Sequence, residues 1–318
     1  MKITTLTANP CIDRTLVVDN ICRGKSHRVQ KTLLDFSGKG INVALAASAL
    51  GAQVTAICLA HEDGAAETFF REHPELHQML VPAAGKARIN TKLFESNSGQ
   101  MTELNENGLP IGAEQVEGMQ QAVQETLPQT DILVLAGSVP PGVSPDFYRQ
   151  LGQLAKQQNV PFLLDASGEL LRQGMESSPT LIKPNAEEYE ATFGVVPKPT
   201  ESFCRDCRQM LDQHDIPYAI VSMGEEGALL IGPYDAWYSG PVHIDVKGVQ
   251  GAGDSMVAGI AWAIANGRSL GGELLRVAVA CAHASLELPG TQMCDAAGME
   301  KRLNYVPLYQ IGQWKPRR

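Results

Sequence analysis

Short runs of consecutive apolar residues recur along the chain: VTAICLA (54–60), DILVLAG (131–137), VPFLLDAS (160–167), PTLIKPN (179–185) and YAIVSMG (218–224). A strand apolar at successive positions has both faces buried, as in a mainly parallel sheet covered by helices. Between these runs lie stretches with helical spacing: INVALAASAL (41–50) ended by Gly51, AEQVEGMQQAVQETL (113–127), PDFYRQLGQLAKQQ (145–158) and FCRDCRQMLDQH (203–214). Their alternation predicts a doubly wound α/β fold.

Two regions break the alternation. RTLVVDNICRGKSHRVQ (14–30) and ARINTKLFESNSGQMTELNENG (87–108) read as strands joined by polar turns without a helix between them, so they predict a small second sheet, a lid over one edge of the main domain. With no repeat or linker in view, residues 1–318 form one domain with the lid strands inserted. The tail IGQWKPRR (311–318) is basic and reads as frayed.

At 318 residues, 44% hydrophobic and 19% charged, the chain can bury a large core. No apolar run approaches the roughly 18 residues of a membrane helix, and MKITTLTANP lacks the pattern of a signal peptide. A cytoplasmic protein without a membrane partner is expected. Seven scattered cysteines suit reduced thiols. Cys204 and Cys207 form one CxxC, which reads either as a metal or redox pair or as two thiols on a helix; a structural zinc needs four ligands, and no second pair stands at a fitting distance.

A formal net charge of −9 disfavours nucleic acid as a partner. The local balance differs: Arg23, Lys25, Arg28, Lys31 and Lys39 face one acid, Asp35, with Lys86, Arg88 and Lys92 later. This cluster is either a solvated basic face or a pocket for an anionic ligand. GKS in RGKSH lacks the upstream glycine of a phosphate loop, since Asp19 stands there, and strand rather than helix follows. Neither SGKGIN nor GAGDSM completes a dinucleotide fingerprint, because Val43 and Met256 replace its third glycine, which argues against a nicotinamide-dependent oxidoreductase.

GVQGAGDSMVAG (248–259) carries more chemistry. Glycines can turn successive N–H groups inward, and a following helix adds its unsatisfied N–H groups and positive dipole end, together an anion cradle. A carboxylate in the first helical turn is kept ionised by that field and can accept a proton from a hydroxyl. The same residues also fit a tight turn with an N-terminal helix acid.

GAGDSMVAG resembles the carboxy-terminal signature of the ribokinase-like carbohydrate kinases, the phosphofructokinase B family. LTANPCID, GKGINVA (38–44), ARINTKL (87–93), LAGSVPPG (135–142), DASGE (165–169), IKPNAEE (182–188) and VSMGEEGA (221–228) follow in that family's order. The LTxNPxxD opening, the GKGIN lysine and the RIN segment are most similar to its 1-phosphofructokinase branch, then to tagatose-6-phosphate kinases.

The resemblance implies Asp254 as catalytic base and the amides of Gly251, Ala252 and Gly253 as anion hole. It implies Asp13, at the end of the first strand, on sugar hydroxyls, with Gly38, Gly40 and Asn42 letting the sugar approach the backbone. Lys39 and Arg88 would hold the substrate's existing phosphate, with Lys25 and Glu103 as further lid candidates. Asn185 and Glu188 form an NxxE pattern implied to support Mg²⁺ and nucleotide phosphates through water. Lys183, Ser222, Gly224 and Gly227 would border the nucleotide. Gly248 and Gln250 depart from the pattern beside the nucleotide, Ser37 replaces a common Gly or Ala, His61 a common Gly, and His283 is expected to pack.

The resulting expectation is an ATP- and Mg²⁺-dependent kinase converting fructose 1-phosphate to fructose 1,6-bisphosphate, dimeric through its lid. Tagatose 6-phosphate is the alternative substrate, and a sugar-phosphate-binding protein of the same fold with impaired catalysis is a third reading.

Overall fold

The computed structural model describes residues 1–248, 251–268, 270–290 and 292–315. Strand β1 (Lys2–Thr7) leads into the hairpin β2 (Cys11–Val18) and β3 (Lys31–Ser37), then α1 (Lys39–Ala49), β4 (Gln53–His61), α2 (Ala65–Glu72) and β5 (Leu76–Ala83). A second hairpin, β6 (Arg88–Glu95) and β7 (Met101–Asn105), precedes α3 (Ala113–Thr126), β8 (Ile132–Ala136), α4 (Phe147–Gln157), β9 (Phe162–Asp165), α5 (Gly168–Met175) and β10 (Leu181–Ile182). Then come α6 (Ala186–Phe193), α7 (Glu201–Gln213), β11 (Tyr218–Ser222), β12 (Ala228–Ile231) and β13 (Asp235–Ser239). The remaining elements are α8 (Ala252–Ala265), α9 (Gly272–Leu286), α10 (Ala296–Leu303) and β14 (Tyr309–Gln313).

The main sheet has ten strands in the order β14-β13-β12-β11-β10-β9-β8-β1-β4-β5. From β11 to β5 every pairing is parallel. Strand β8 shows why its sequence is continuously apolar: Ile132, Val134 and Ala136 point into one core, while Leu133 and Leu135 point into the other. Helices α1, α2, α8, α9 and α10 contribute to the first core and α3 to α7 to the second, the two-sided covering expected of a doubly wound sheet.

Beyond β11 the sheet continues antiparallel through β12, β13 and β14, an extension that the alternating pattern does not predict. It also corrects the tail. Gly312 and Gln313 pair with Ala236 and Asp235, so Ile311–Gln313 belongs to an edge strand rather than a frayed end, while residues 316–318 lie outside the described residues.

The lid is a separate four-stranded sheet, β3-β2-β6-β7. Its strands differ from the expected 14–30 span: β2 starts at Cys11, β3 begins only at Lys31, and residues 19–30 form the connection. That connection turns at Gly24 (φ 75°), and the His27 ring bonds the Cys22 backbone across it, so the GKS triplet sits in an exposed turn followed by strand. Asp13 accordingly lies on β2, in the lid, and not at the end of the first strand.

Cys204 and Cys207 are both buried on α7. Burial, with each other's proximity adding for Cys204, pushes their thiols up to about 12 and about 11, so they pack as neutral side chains. His283 also packs: burial, then Arg302, lowers it to about 4. Among the described residues, no helix is long and apolar enough to cross a membrane.

Gly40 fixes where α1 begins. A Cβ there would collide with the Leu6 carbonyl oxygen of β1 and stand 2.5 Å from Thr7 Oγ1. The missing side chain therefore admits the neighbouring strand, not the sugar that the sequence suggests. Replacing Gly40 with Ala should lower the denaturation midpoint through an overpacking cost of roughly 1–3 kcal/mol; an unchanged midpoint would show that the α1–β1 contact is slack.

Candidate active site

A cavity of about 580 Å³ opens between the lid and the carboxyl ends of β1, β8 and β9. Its lid wall follows from strand periodicity. Alternate residues share one face, so Cys11 and Asp13 of β2, Arg88, Asn90 and Lys92 of β6, and Glu103 and Asn105 of β7 all line the cavity. The β2/β6 register sets Asp13 opposite Asn90.

These side chains hold one another. Lys92 Nζ donates to Asp13 Oδ2 at 2.8 Å, and both are buried. Asn90 Nδ2 donates to Cys11 Sγ at 3.2 Å, and that thiol lies 3.5 Å from Asp13 Oδ1. Burial, reinforced by the nearby Asp13 charge, pushes the Cys11 thiol up to about 12, so it stays protonated. Arg88 donates only to neutral acceptors in these bonds: the Asn9 and Glu106 carbonyls and Asn90 Oδ1. Among the described residues its guanidinium is in no ion pair, although Asp13 and Glu103 share the wall.

At the other end, charges are tightly paired. Asp165, last in β9, lies 3.3 Å from Lys39 Nζ and 3.4 Å from Lys183 Nζ. Burial alone would raise the Asp165 carboxyl, but the ammonium of Lys183 and then that of Lys39 outweigh it and hold the group below its ordinary value. Lys39 Nζ also reaches Glu188 Oε1 at 3.2 Å. Burial would lower Lys39, yet Asp165, then Glu188 and Asp254, keep it above its ordinary value and firmly charged. Lys39 is thus committed to these carboxylates, rather than paired with Arg88 as the sequence suggests.

Asn185 and Glu188 close the start of α6 reciprocally: the Glu188 amide donates to Asn185 Oδ1 (2.8 Å), and the Asn185 amide donates to Glu188 Oε2 (2.9 Å). A bridge ties Asn185 to Ser222 at the end of β11. Gly224 and Gly227 follow with φ of 57° and 96°, and a Cβ at Gly227 would strike the Ser239 carbonyl. Ser222 thus borders Asn185, and neither it, Gly224 nor Gly227 is among the residues that line the cavity.

Helix α8 starts at Gly251 (φ 78°) and has no side-chain cap. The first turn of a helix leaves its N–H groups without intrahelical partners, which here are those of Ala252, Gly253 and Asp254. Gly251 has a packing reason as well, because a Cβ there would press on Met293 at 2.6 Å. Asp254 does not line the cavity. It is half-buried beside Asn42, which does line it and whose Nδ2 donates to Asp254 Oδ2 at 2.7 Å. Burial raises the Asp254 carboxyl above its ordinary value, although Lys39 and the Asn42 bond pull the other way. It is thereby a stronger proton acceptor than a free aspartate.

The remaining sequence candidates fall as follows. Lys25 lies in the exposed turn of the lid, outside the cavity. Gly38 (φ 149°) lines the cavity, but a Cβ there would meet Thr7 at 2.6 Å. Gly248 has a packing reason, since a Cβ would lie 2.7 Å from the Gly290 carbonyl and 2.8 Å from that of Leu288. Gln250 lies outside the described residues. His61 is buried, and its Nδ1 meets the Ala84 carbonyl at 3.0 Å, a tie between strand ends. Four members of the constellation escaped the sequence reading as site residues: Cys11, Asn90, Lys92 and Asp165. The alternation in RINTK could have exposed Asn90 and Lys92 once β6 was assigned.

A mostly parallel sheet with its cavity at the strand ends, roofed by a second small sheet and flanked by a glycine-led helix start, is the architecture of one class of sugar-phosphorylating enzymes. Residues 6–297 match the pfkB family carbohydrate kinases, and the chain belongs to that family. It is therefore a carbohydrate kinase, and membership implies ATP as co-substrate. The chain is 34% identical over 265 residues to a 1-phosphofructokinase of Vibrio cholerae, covering 82% of each chain. It is 32% identical over 267 residues to a tagatose-6-phosphate kinase of Staphylococcus epidermidis, covering 81% of this chain and 84% of the relative. Phosphofructokinase-2 from Escherichia coli in complex with potassium has the same fold, with a TM-score of 0.86 and 27% identity over 96% of this chain and 98% of its own. Another structure of that enzyme is a tetrameric inhibited form.

Asp165→Asn should destabilise the fold near neutral pH, by an amount approaching the roughly 3–5 kcal/mol of a broken buried ion pair. Because the folded carboxyl sits below the ordinary 3.8, the wild-type advantage should be full above that value and shrink as pH falls from it through the folded value. Denaturant titrations at several pH values check this, and a difference that grows on acidification would contradict it.

Proposed function

We propose that this kinase transfers the γ-phosphoryl group of ATP to a phosphorylated ketohexose, converting fructose 1-phosphate to fructose 1,6-bisphosphate. The observation that carries this reading is the guanidinium of Arg88, in no ion pair among the described residues, on the same wall as Asp13, Asn90 and Lys92. A neutral sugar would leave that buried-edge charge without an anionic partner, whereas a substrate phosphate supplies one in the fork geometry that Arg favours. Asp13, with one oxygen on Lys92, offers the other region of its carboxylate to sugar hydroxyls.

Asp254 accepts the proton of the attacking hydroxyl as its oxygen bonds to the γ-phosphorus and the bond to the departing ADP breaks. Its raised proton affinity suits that task. The start of α8 meets the negative charge spread over the transferring group, and Lys39, held near Asp254, Asp165 and Glu188, adds a fixed positive charge. The lid wall excludes water, the competing acceptor.

Mg²⁺ fits this donor set as a hydrated ion. Among the described residues, no group of three or more His, Cys, Asp or Glu side chains is arranged to cage a metal. Glu188 and Asn185 already exchange hydrogen bonds, so they would hold such an ion through its waters, where it would neutralise nucleotide phosphate charge. The packing reason for Gly248 removes one ground for reading the protein as catalytically impaired.

Tagatose 6-phosphate remains the second substrate reading, supported by the 32%-identical relative. We also propose that two copies associate through the lid, where Leu34 and Leu104 are 63% and 57% exposed on its two edge strands; the tetrameric form of the Escherichia coli enzyme marks the assembly to compare it with. Light scattering at several concentrations should give the mass of a dimer, and a monomer throughout would end that proposal.

Kinetics with fructose 1-phosphate, tagatose 6-phosphate, fructose 6-phosphate and free fructose test the substrate. The highest kcat/KM is expected for fructose 1-phosphate, and a preference for the free sugar would overturn the role given to Arg88. Asp254→Asn should lower kcat by about a hundred- to ten-thousand-fold while calorimetry still detects sugar-phosphate binding. In the wild type the acid limb of kcat/KM should fall above 3.8, the ordinary aspartate value, because protonation of Asp254 removes the base.

A further inference from the structure

Asp254 has an orienting partner that itself has a partner. Asn42, on α1, donates Nδ2 to Asp254 Oδ2 at 2.7 Å, and its other amide atom, Oδ1, accepts from Ser37 Oγ at 3.2 Å. Ser37 is the last residue of lid strand β3, is buried, and stands opposite Cys11 in the β2/β3 register. One residue, Gly38, separates it from the start of α1.

A carboxamide can face a carboxylate in two ways, and they differ in sign. With Nδ2 forward it donates to the anion; flipped, it presents Oδ1 to a negative oxygen and repels it. The acceptor-only carboxylate selects the first arrangement, and the Ser37 hydroxyl, donating to Oδ1, anchors the far end of the amide in it. Without it the amide would be held at its nitrogen end alone, by the bond to Asp254, and could swing about that contact.

We propose that Ser37 is a positioning residue for the phosphoryl-transfer step: its hydroxyl fixes the Asn42 amide so that Asp254 keeps one oxygen bound and directs the other at the acceptor hydroxyl. This rests on the reading of Asp254 as base. It gives the lid a second task besides covering the substrate, because the strand that ends at Ser37 carries the hydroxyl that orients the amide. The charges facing Asp254 are Lys39 on α1, Asp165 at the end of β9 and Lys183 after β10. None of them changes when Ser37 does, so a shift in the behaviour of Asp254 on altering Ser37 reports the amide.

Ser37→Ala, Ser37→Thr and Asp254→Asn should be compared in full kinetic and pH profiles with fructose 1-phosphate. Losing one hydrogen bond of ordinary strength corresponds to roughly a three- to ten-fold fall in kcat. For Ser37→Ala that fall is expected with KM for the sugar phosphate little changed, together with an acid limb moved to higher pH, since a mobile or flipped amide no longer favours the carboxylate. Ser37→Thr, which keeps the hydroxyl, should restore both kcat and the acid limb. An Ala variant whose profile overlays the wild type would overturn the proposal, as would a loss confined to KM or a Thr variant no better than Ala. If instead Asp254→Asn retains substantial turnover, the base assignment itself falls and the positioning role with it; lost turnover there beside an unaltered Ala variant removes only Ser37.

Discussion

The arrangement depends on one buried carboxylate, Asp165, shared by two ammonium groups. An isolated aspartate at that depth would take up a proton, and two unscreened lysines so close would repel each other. Together they are stable, and the price is geometric: β9, the segment after β10 and the start of α1 must meet at one point. Glu188 extends the same contact to α6 through Lys39. The start of α1 is thus registered against three pieces of chain more than a hundred residues downstream, where the parallel strands end.

That registration sets the electrostatics next to Asp254. A base in a phosphoryl-transfer site must be ionised enough to work and basic enough to hold a proton afterwards. Burial raises the Asp254 carboxyl, and Lys39 with Asn42 restrains the rise, so with Asp254 as the proposed base the two demands meet through opposed causes. Moving the Lys39 ammonium would change the Asp254 carboxylate and Asp165 together. The glycines act more locally. Gly40 is required by the Leu6 carbonyl and Gly251 by its left-handed backbone (φ 78°), and their effect on chemistry is indirect: they set where α1 and α8 begin.

Much of this was legible in the sequence, unevenly. The buried parallel strands announced themselves because both faces are apolar, and the glycine-led acid was visible because few other patterns place a carboxylate at an uncapped helix start. What stayed hidden is long-range. Asp165 reads as a strand-end acid until Lys39 and Lys183 arrive from 126 residues upstream and from the end of the next strand. Lys39 reads as part of a basic surface cluster, and only the fold turns it away from the lid toward two carboxylates. The antiparallel strands β12 to β14 are only four or five residues long, and β14, mostly exposed at the edge, gains its order from its neighbour's hydrogen bonds, which composition does not encode. The start of β3 eluded the pattern for a related reason: its first four residues are exposed, so no burial periodicity marks it.

The cations of the cavity are not equivalent, and their differences divide the labour. Lys92 is matched by Asp13, and Lys39 together with Lys183 by Asp165 and Glu188, so each cluster is near neutral and serves to hold its acids in place. Arg88 is held by carbonyl and amide oxygens, which fix its position while leaving its charge unspent. A substrate anion therefore gains most from Arg88, where it need not displace a carboxylate before it can bind. By the same reasoning, an anion reaching Lys39 must compete with two carboxylates, and it can do so only if it brings a large charge of its own, as a nucleotide triphosphate does. On the proposed function, the two groups of cations would thus suit anions of different strength, a sugar phosphate at Arg88 and a polyphosphate near Lys39.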